Sequence, residues 1–233
     1  MHASAASHHT AARLLGGIVP DTDEVHLATV LDKRSRTHGI RTHRYPAAPI
    51  VTTCRGVPTT TAEQTFVDLA GCLDLVDLVV LGDSLIRHGR TTPEQLISMT
   101  DSSSVRGAVR ARKAARLVRV EVDSAYETRL RLLIMFAGLP EPVINYCILD
   151  GQGRTARRFD LSYPHLMLAI EYDGRDHIDR ESQWRNDITR REELESAGWR
   201  FMVITGADLL QHPEHVLRRI TGAVQAAGAS HLA

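Results

Sequence analysis

Asp160, Glu171, Asp173 and His177 crowd a short stretch of the chain. In Arg157-Arg158-Phe159-Asp160-Leu161-Ser162-Tyr163, strand alternation sets Phe159, Leu161 and Tyr163 on one face and Asp160 with Ser162 on the other. In the next apolar run Leu168, Ile170 and Tyr172 face one way, and Glu171 and Asp173 face the other. Carboxylates on neighbouring strands can converge. Negative charge at the end of an apolar strand is costly unless cations offset it. A divalent metal does so, and hard oxygen ligands suit Mg²⁺ or Mn²⁺, which stabilise charge at phosphate and acidify bound water. Gly174 permits a sharp turn, and His177 beyond it can reach back over the carboxylates. The chemistry such a set would perform is phosphodiester hydrolysis.

The elements that must position these residues follow from periodicity. Ser124-Ala125-Tyr126-Glu127 has the form of a capping box, opening a helix that keeps its apolar spacing to Gly138-Leu139-Pro140. In that box Glu127 is the N3 partner of Ser124. Pro142-Leu149 reads as a strand, Asp150-Gly151-Gln152-Gly153 as a turn, Thr155-Tyr163 as its hairpin partner and Leu166-Tyr172 as a third, apolar strand. A helix over Glu181-Ala197 is closed by Gly198. Trp199-Ile204, apolar on both faces, is expected to be a central strand, and Pro213-Ala226 a final helix with Val216, Ile220 and Val224 at four-residue steps. Trp184 and Trp199 read as core. The resulting order is α-β-β-β-α-β-α.

The first half has a different character. Val25-Val30, Ile40-Tyr45 and Ile50-Val57 suggest a small antiparallel sheet, followed by helices over Thr61-Ala70, Leu73-Arg87, Thr92-Met99 and Ser104-Val118. The fold class is thus α/β (mixed α+β): residues 1–123 as a smaller domain of short strands and helices, and residues 124–233 as an αβββαβ core. Arg106, Arg110 and Lys113 share one side of the last of those helices, which is either a solvated face or a phosphate-binding one. His8, His9, His26, His38 and His43 show no metal-ligand spacing and are assigned none.

Composition bounds the rest. The 233 residues carry 28 Lys+Arg and 28 Asp+Glu, so no global positive field marks a nucleic-acid binder and any such contact must be local. Cys54, Cys72 and Cys147 form no C-x-x-C pair, which argues against a disulfide framework and for a reducing, cytoplasmic setting. Neither a signal peptide nor an apolar run long enough to span a membrane is read. Glycine-rich dinucleotide, P-loop and nucleophile-elbow motifs are also missing, which disfavours a metabolic α/β enzyme.

Asp160, the eleven-residue step to Glu171, the run Ile170-Glu171-Tyr172-Asp173-Gly174 and His177 resemble an endonuclease-like domain of unknown function common in actinobacteria. That domain is related to the very-short-patch-repair endonuclease within the PD-(D/E)XK superfamily. The resemblance continues at Glu127, Leu130-Arg131, Asp187, Arg190, Leu194 and Gly198-Trp199, across roughly the last 110 residues. It implies a restriction-endonuclease-like fold, a metal held by Asp160 and Glu171, and Glu127 as an outer carboxylate. The superfamily's usual lysine, two residues after the glutamate, is Asp173 here, and residues 124–233 contain no lysine. The repair endonuclease relies on histidine near that turn, which makes His177 the candidate general base or acid. Arg190 or Arg191 would neutralise the phosphate, with Asp187 orienting that arginine or His177.

Upstream, Pro58-Thr59-Thr60-Thr61-Ala62-Glu63-Gln64-Thr65-Phe66-Val67-Asp68-Leu69-Ala70 resembles a region of the AbiEi antitoxin family, whose usual leading winged helix is not found here. Two functions are therefore expected to compete. One is a Mg²⁺-dependent DNA endonuclease, for which a homodimer is one way to cut both strands. The other is a non-catalytic, nuclease-fold DNA-binding or toxin–antitoxin regulatory protein.

Overall fold

The computed structural model describes residues 4–31, 37–149, 151–173 and 192–230. The chain forms two compact units, residues 1–128 and 129–233, dividing within a helix, at Thr128/Arg129. Both units mix helices with a mixed sheet.

The first unit begins with β1 (Ala5–Ala6) and α1 (His8–Leu15), then β2 (Val25–Thr29), β3 (Ile40–Arg44), β4 (Val51–Cys54) and β5 (Val57–Thr60). The strand order is β3-β2-β1-β5-β4. The sheet is not the antiparallel one expected: β2 pairs with β3 in parallel, as β1 does with β5, and only β1–β2 and β4–β5 are antiparallel. The two-residue β1 carries no periodic signal, yet it joins the two halves of the sheet. The expected single strand over 50–57 is half of a tight hairpin, which turns at Arg55 (φ 51°) and Gly56 (φ 78°). Two consecutive left-handed residues are what a two-residue hairpin needs, and glycine supplies one without strain.

Helices α2 (Ala62–Leu69), α3 (Leu75–Arg87), α4 (Pro93–Ser102) and α5 (Ala108–Leu117) follow close to their expected places. Thr61, Asp74 and Thr92 each cap through a side-chain oxygen, Thr92 with Gln95 as a full capping box. Ala11, Ala12, Phe66, Leu69, Leu78, Leu81, Leu85 and Leu96 are fully buried and form the core. Gly107, with φ 90°, lies so near α2 that an added Cβ would sit 2.4 Å from Ala70 O. That close approach lets Arg110 Nη1 donate to Ala70 O at 3.0 Å and Leu73 O at 2.6 Å.

In the second unit α6 (Ala125–Phe136), which begins in the first, leads to β6 (Val143–Leu149), β7 (Thr155–Tyr163), a short 3₁₀ turn (Pro164–Leu166) and β8 (Leu168–Asp173). Residues 192–196 are helical, followed by β9 (Arg200–Thr205), α7 (Gly206–Gln211) and α8 (Pro213–Ser230). The sheet order is β6-β7-β8-β9, antiparallel except for the β8–β9 pair. β9 is therefore the end strand of this order and not a central one. Its apolar character comes from covered faces: Trp199 and Phe201 pack with Phe159 and Ala169, and Ile204 is fully buried. Val216 and Ile220 of α8 are fully buried, as their spacing predicts. The short α7, capped by Thr205 and Asp208, was not foreseen. Among the described residues no helix is long and apolar enough to cross a membrane.

Asp83 of α3, only 3% exposed, ties the first unit together. Its Oδ1 accepts from Arg119 N at 2.7 Å and its Oδ2 from Thr128 Oγ1 at 2.8 Å. Asp83→Ala would strand both donors in a buried place, at a cost of about 2–4 kcal/mol. Chemical denaturation of the purified variant measures this, and a loss below about 0.5 kcal/mol would show that solvent replaces the carboxylate.

Candidate active site

Strands β7 and β8 pair from Tyr163/Leu168 through Ser162/Ala169 to Leu161/Ile170, and there their ladder ends. Beyond it Phe159, Arg158 and Arg157 pair with β6, while Glu171, Tyr172 and Asp173 pair with β9. The sheet forks at this point. Extending the register by one step would set Asp160 directly opposite Glu171.

Asp160 fills the fork. Its Oδ2 accepts the Tyr172 backbone N–H at 2.9 Å, a donor that an unbroken antiparallel ladder would give to a β7 carbonyl. Across β7 on the other side stands Asn145, whose φ of 49° is left-handed. The distortion also turns the strand. Phe159 packs against Trp199 (ring centroids 4.7 Å apart) and Phe201 (5.6 Å), on the Ala169 side of the sheet. Leu161 stands opposite Ile170, on the other side. Phe159 and Leu161 thus do not share a face as strict alternation predicted, because the wedge at Asp160 breaks the two-residue period.

Arg157 lies on Phe159's side, and its Nη2 donates to Glu171 Oε1 at 2.7 Å, with both side chains about four-fifths buried. A carboxylate this deeply buried needs such a partner. The sequence reading missed Arg157 because the pairing depends on the broken alternation, although the Arg157-Arg158 doublet just before Asp160 was the available signal. Asp173 ends β8 opposite Thr205 and is partly exposed. Asp160, Glu171 and Asp173 therefore collect at one end of the β7–β8 pair. Among the described residues no group of three His, Cys, Asp or Glu side chains is arranged to hold a metal by itself.

Glu127 is buried in the first turn of α6, where its N–H donates to Ser124 Oγ (3.2 Å) and its Oε2 accepts from Asp123 N (3.1 Å). This is a cap arrangement in which the carboxylate reaches Asp123 instead of Ser124. Gly174, His177, Trp184, Asp187, Arg190 and Arg191 lie outside the described residues. On α5, Arg110 serves the carbonyls at the end of α2, Arg112 donates to Thr100 O and Ser103 O, and Arg116 pairs with Asp101. Lys113 is exposed, and Arg106 lines a cavity in the same unit.

The restriction-endonuclease-like family model REase_MTES_1575 matches residues 149–224, a span that contains the fork. Two uncharacterized proteins of Mycobacterium tuberculosis, MT2308 of strain CDC 1551 and Rv2248 of strain H37Rv, are each 26% identical over 212 residues. Each alignment covers 91% of this chain and 78% of the relative. No solved structure matches significantly. The family match supports an endonuclease-like domain and a nuclease-type function, for which DNA is the partner such a family suggests, and the C-terminal sheet agrees with a restriction-endonuclease-like fold.

A second set of titratable groups, unforeseen as a cluster, lies in the first unit. The parallel β2–β3 register brings His26 beside His43, with Nδ1 and Nε2 2.9 Å apart, and the start of α1 adds His8 and His9. Burial, reinforced by the neighbouring imidazoles, pushes His8 from 6.5 down to about 3 and His43 to about 4; burial also lowers His9 and His26. Burial raises the Asp68 carboxyl, hydrogen-bonded to Tyr45 and Gln64, from 3.8 to about 6. Below pH 6.5 the unfolded chain takes up histidine protons that the folded chain refuses, so this contribution is full above 6.5 and lost as pH falls toward 4. Asp68 acts oppositely, favouring the fold below 3.8 and losing that effect as pH rises through about 6. Four histidines outweigh one carboxyl. The melting temperature should drop between pH 7 and pH 5, less so in His43→Gln; a rise over that interval would contradict the cluster's neutrality.

Proposed function

We propose that the C-terminal unit is a Mg²⁺- or Mn²⁺-dependent DNA endonuclease acting at the β7–β8 fork. The observation that carries this reading is the fork itself, which lies within the nuclease-like match and gathers Asp160, Glu171 and Asp173 at one strand end. Asp160 and Glu171, which the strand register would set opposite each other, offer the hard carboxylate oxygens that a divalent cation takes. When bound, the cation would stabilise negative charge on the phosphate and promote ionisation of water. Asp160 is held in place by the Tyr172 amide and Glu171 by Arg157, so neither carboxylate must be ordered anew when substrate arrives. Arg157 stands close enough to Glu171 to offset charge on an approaching phosphate as well. His177 remains the proposed proton donor or acceptor, Arg190 and Arg191 proposed phosphate contacts, and Glu127 a proposed outer carboxylate, all on the sequence resemblance.

A second reading rests on the same contacts. Asp160 and Glu171 already have partners that hold the fork together, as they would in a nuclease-fold protein that binds DNA without cutting it.

Plasmid and single-stranded DNA incubated with the full chain and Mg²⁺ or Mn²⁺ separate the two. The enzyme reading expects cation-dependent cleavage that falls about 100-fold or more in both Asp160→Asn and Glu171→Ala. The first substitution keeps an oxygen acceptor for the Tyr172 amide, so circular dichroism should show the fold intact. Cleavage persisting in both variants removes the mechanism. DNA binding without any cleavage supports the regulatory reading.

A further inference from the structure

The histidine cluster of the first unit borders a cavity of about 820 Å³, within the range of small-molecule sites. His8 stacks on His43 with ring centroids 3.5 Å apart and planes 16° from parallel, and His43 lies nearly parallel to His26 at 5.0 Å. His9 tilts against His26 at 4.9 Å. Among the described residues these imidazoles form no group arranged to hold a metal ion. Among the described residues the ring nitrogens His8 Nδ1, His9 Nδ1 and His26 Nε2 are buried without a hydrogen-bond partner, the last with Glu24 Oε2 4.0 Å away. Buried polar atoms are normally satisfied, so these mark places where a ligand atom or water belongs. His8 also holds a left-handed φ of 49°, a strained conformation that places its ring on His43.

The charges around the cavity select the ligand's sign. Among the described residues Arg41, Arg44 and Arg106 line it together with the acids Glu24 and Asp68. Glu24 is engaged by Arg41 at 3.2 Å, and both Asp68 oxygens accept hydrogen bonds, from Tyr45 and Gln64. The rim therefore favours an anion. Parallel imidazoles favour a planar aromatic group that can extend the stack.

We propose that this cavity binds a nucleotide, its base against the imidazole stack and its phosphate toward Arg106 and Arg44. The nucleotide is either free or the 5′-phosphorylated end of a strand. The proposal does not depend on the nuclease reading.

Isothermal titration of the full chain with 5′-mononucleotides, the matching nucleosides and inorganic phosphate tests it. At least one mononucleotide should bind tenfold or more tightly than its nucleoside and than phosphate. Arg106→Ala, at an exposed position, and His9→Ala should each weaken that binding at least tenfold, while Glu171→Ala leaves it unchanged. A 5′-phosphorylated tetranucleotide binding more tightly than the mononucleotide identifies a strand end as the source, and the reverse identifies the free nucleotide. The proposal is overturned by folded protein that binds no mononucleotide at millimolar concentration, or by binding indifferent to both cavity variants. Loss of binding in Glu171→Ala, or Zn²⁺ binding alone that the cavity variants abolish, equally overturns it.

Discussion

A backbone N–H at the end of a buried strand must find an acceptor, and at Tyr172 the acceptor is a side chain. The Asp160 carboxylate enters the plane of the sheet, where a carbonyl of the neighbouring strand would otherwise lie. A charged acceptor makes this hydrogen bond stronger than the ladder bond it replaces. Once it forms, the two strands cannot stay paired past Leu161 and Ile170. Each then follows its other neighbour, β7 keeping β6 and β8 keeping β9. The change of facing at Phe159, its packing on Trp199 and Phe201, and the meeting of Arg157 with Glu171 all follow from that separation.

The same interaction makes the acidic end of the sheet tolerable. Two carboxylates near the apolar core would repel and resist burial, but one is neutralised by an arginine and the other is solvated by an amide. Both carboxylates are thus held by contacts within the protein itself. The nuclease and scaffold readings therefore share one geometry, and they differ only in whether an added cation and DNA lead to bond breaking.

In the first unit cations act differently. The arginine-rich face of α5, which by composition resembles a phosphate-binding surface, sends Arg110 and Arg112 to carbonyl oxygens near the ends of α2 and α4. Guanidinium groups satisfy several acceptors from one side chain, so an arginine-rich helix can seal the open ends of its neighbours. The chemistry that stands out in this unit is instead the packing of four imidazoles, gathered from three separate segments.

Much of the architecture was legible in the chain itself. Caps at Thr61, Thr92 and Ser124, the hairpin before Tyr163, the apolar run ending at Glu171-Tyr172-Asp173 and the buried stripe of the last helix each depend on residues a few positions apart. Local sterics and short-range hydrogen bonding suffice to specify such features. The placement of Asp160 and Glu171 on adjacent strands was likewise legible. What tertiary structure alone decided was everything that requires two distant segments to meet. Two-residue β1, the parallel pairing of β2 with β3, the end position of β9, the Arg157–Glu171 contact and the histidine stack have no local signature. Strand pairing and side-chain facing are set by long-range register, and a single wedge such as Asp160 can change that facing without altering the pattern from which it is read.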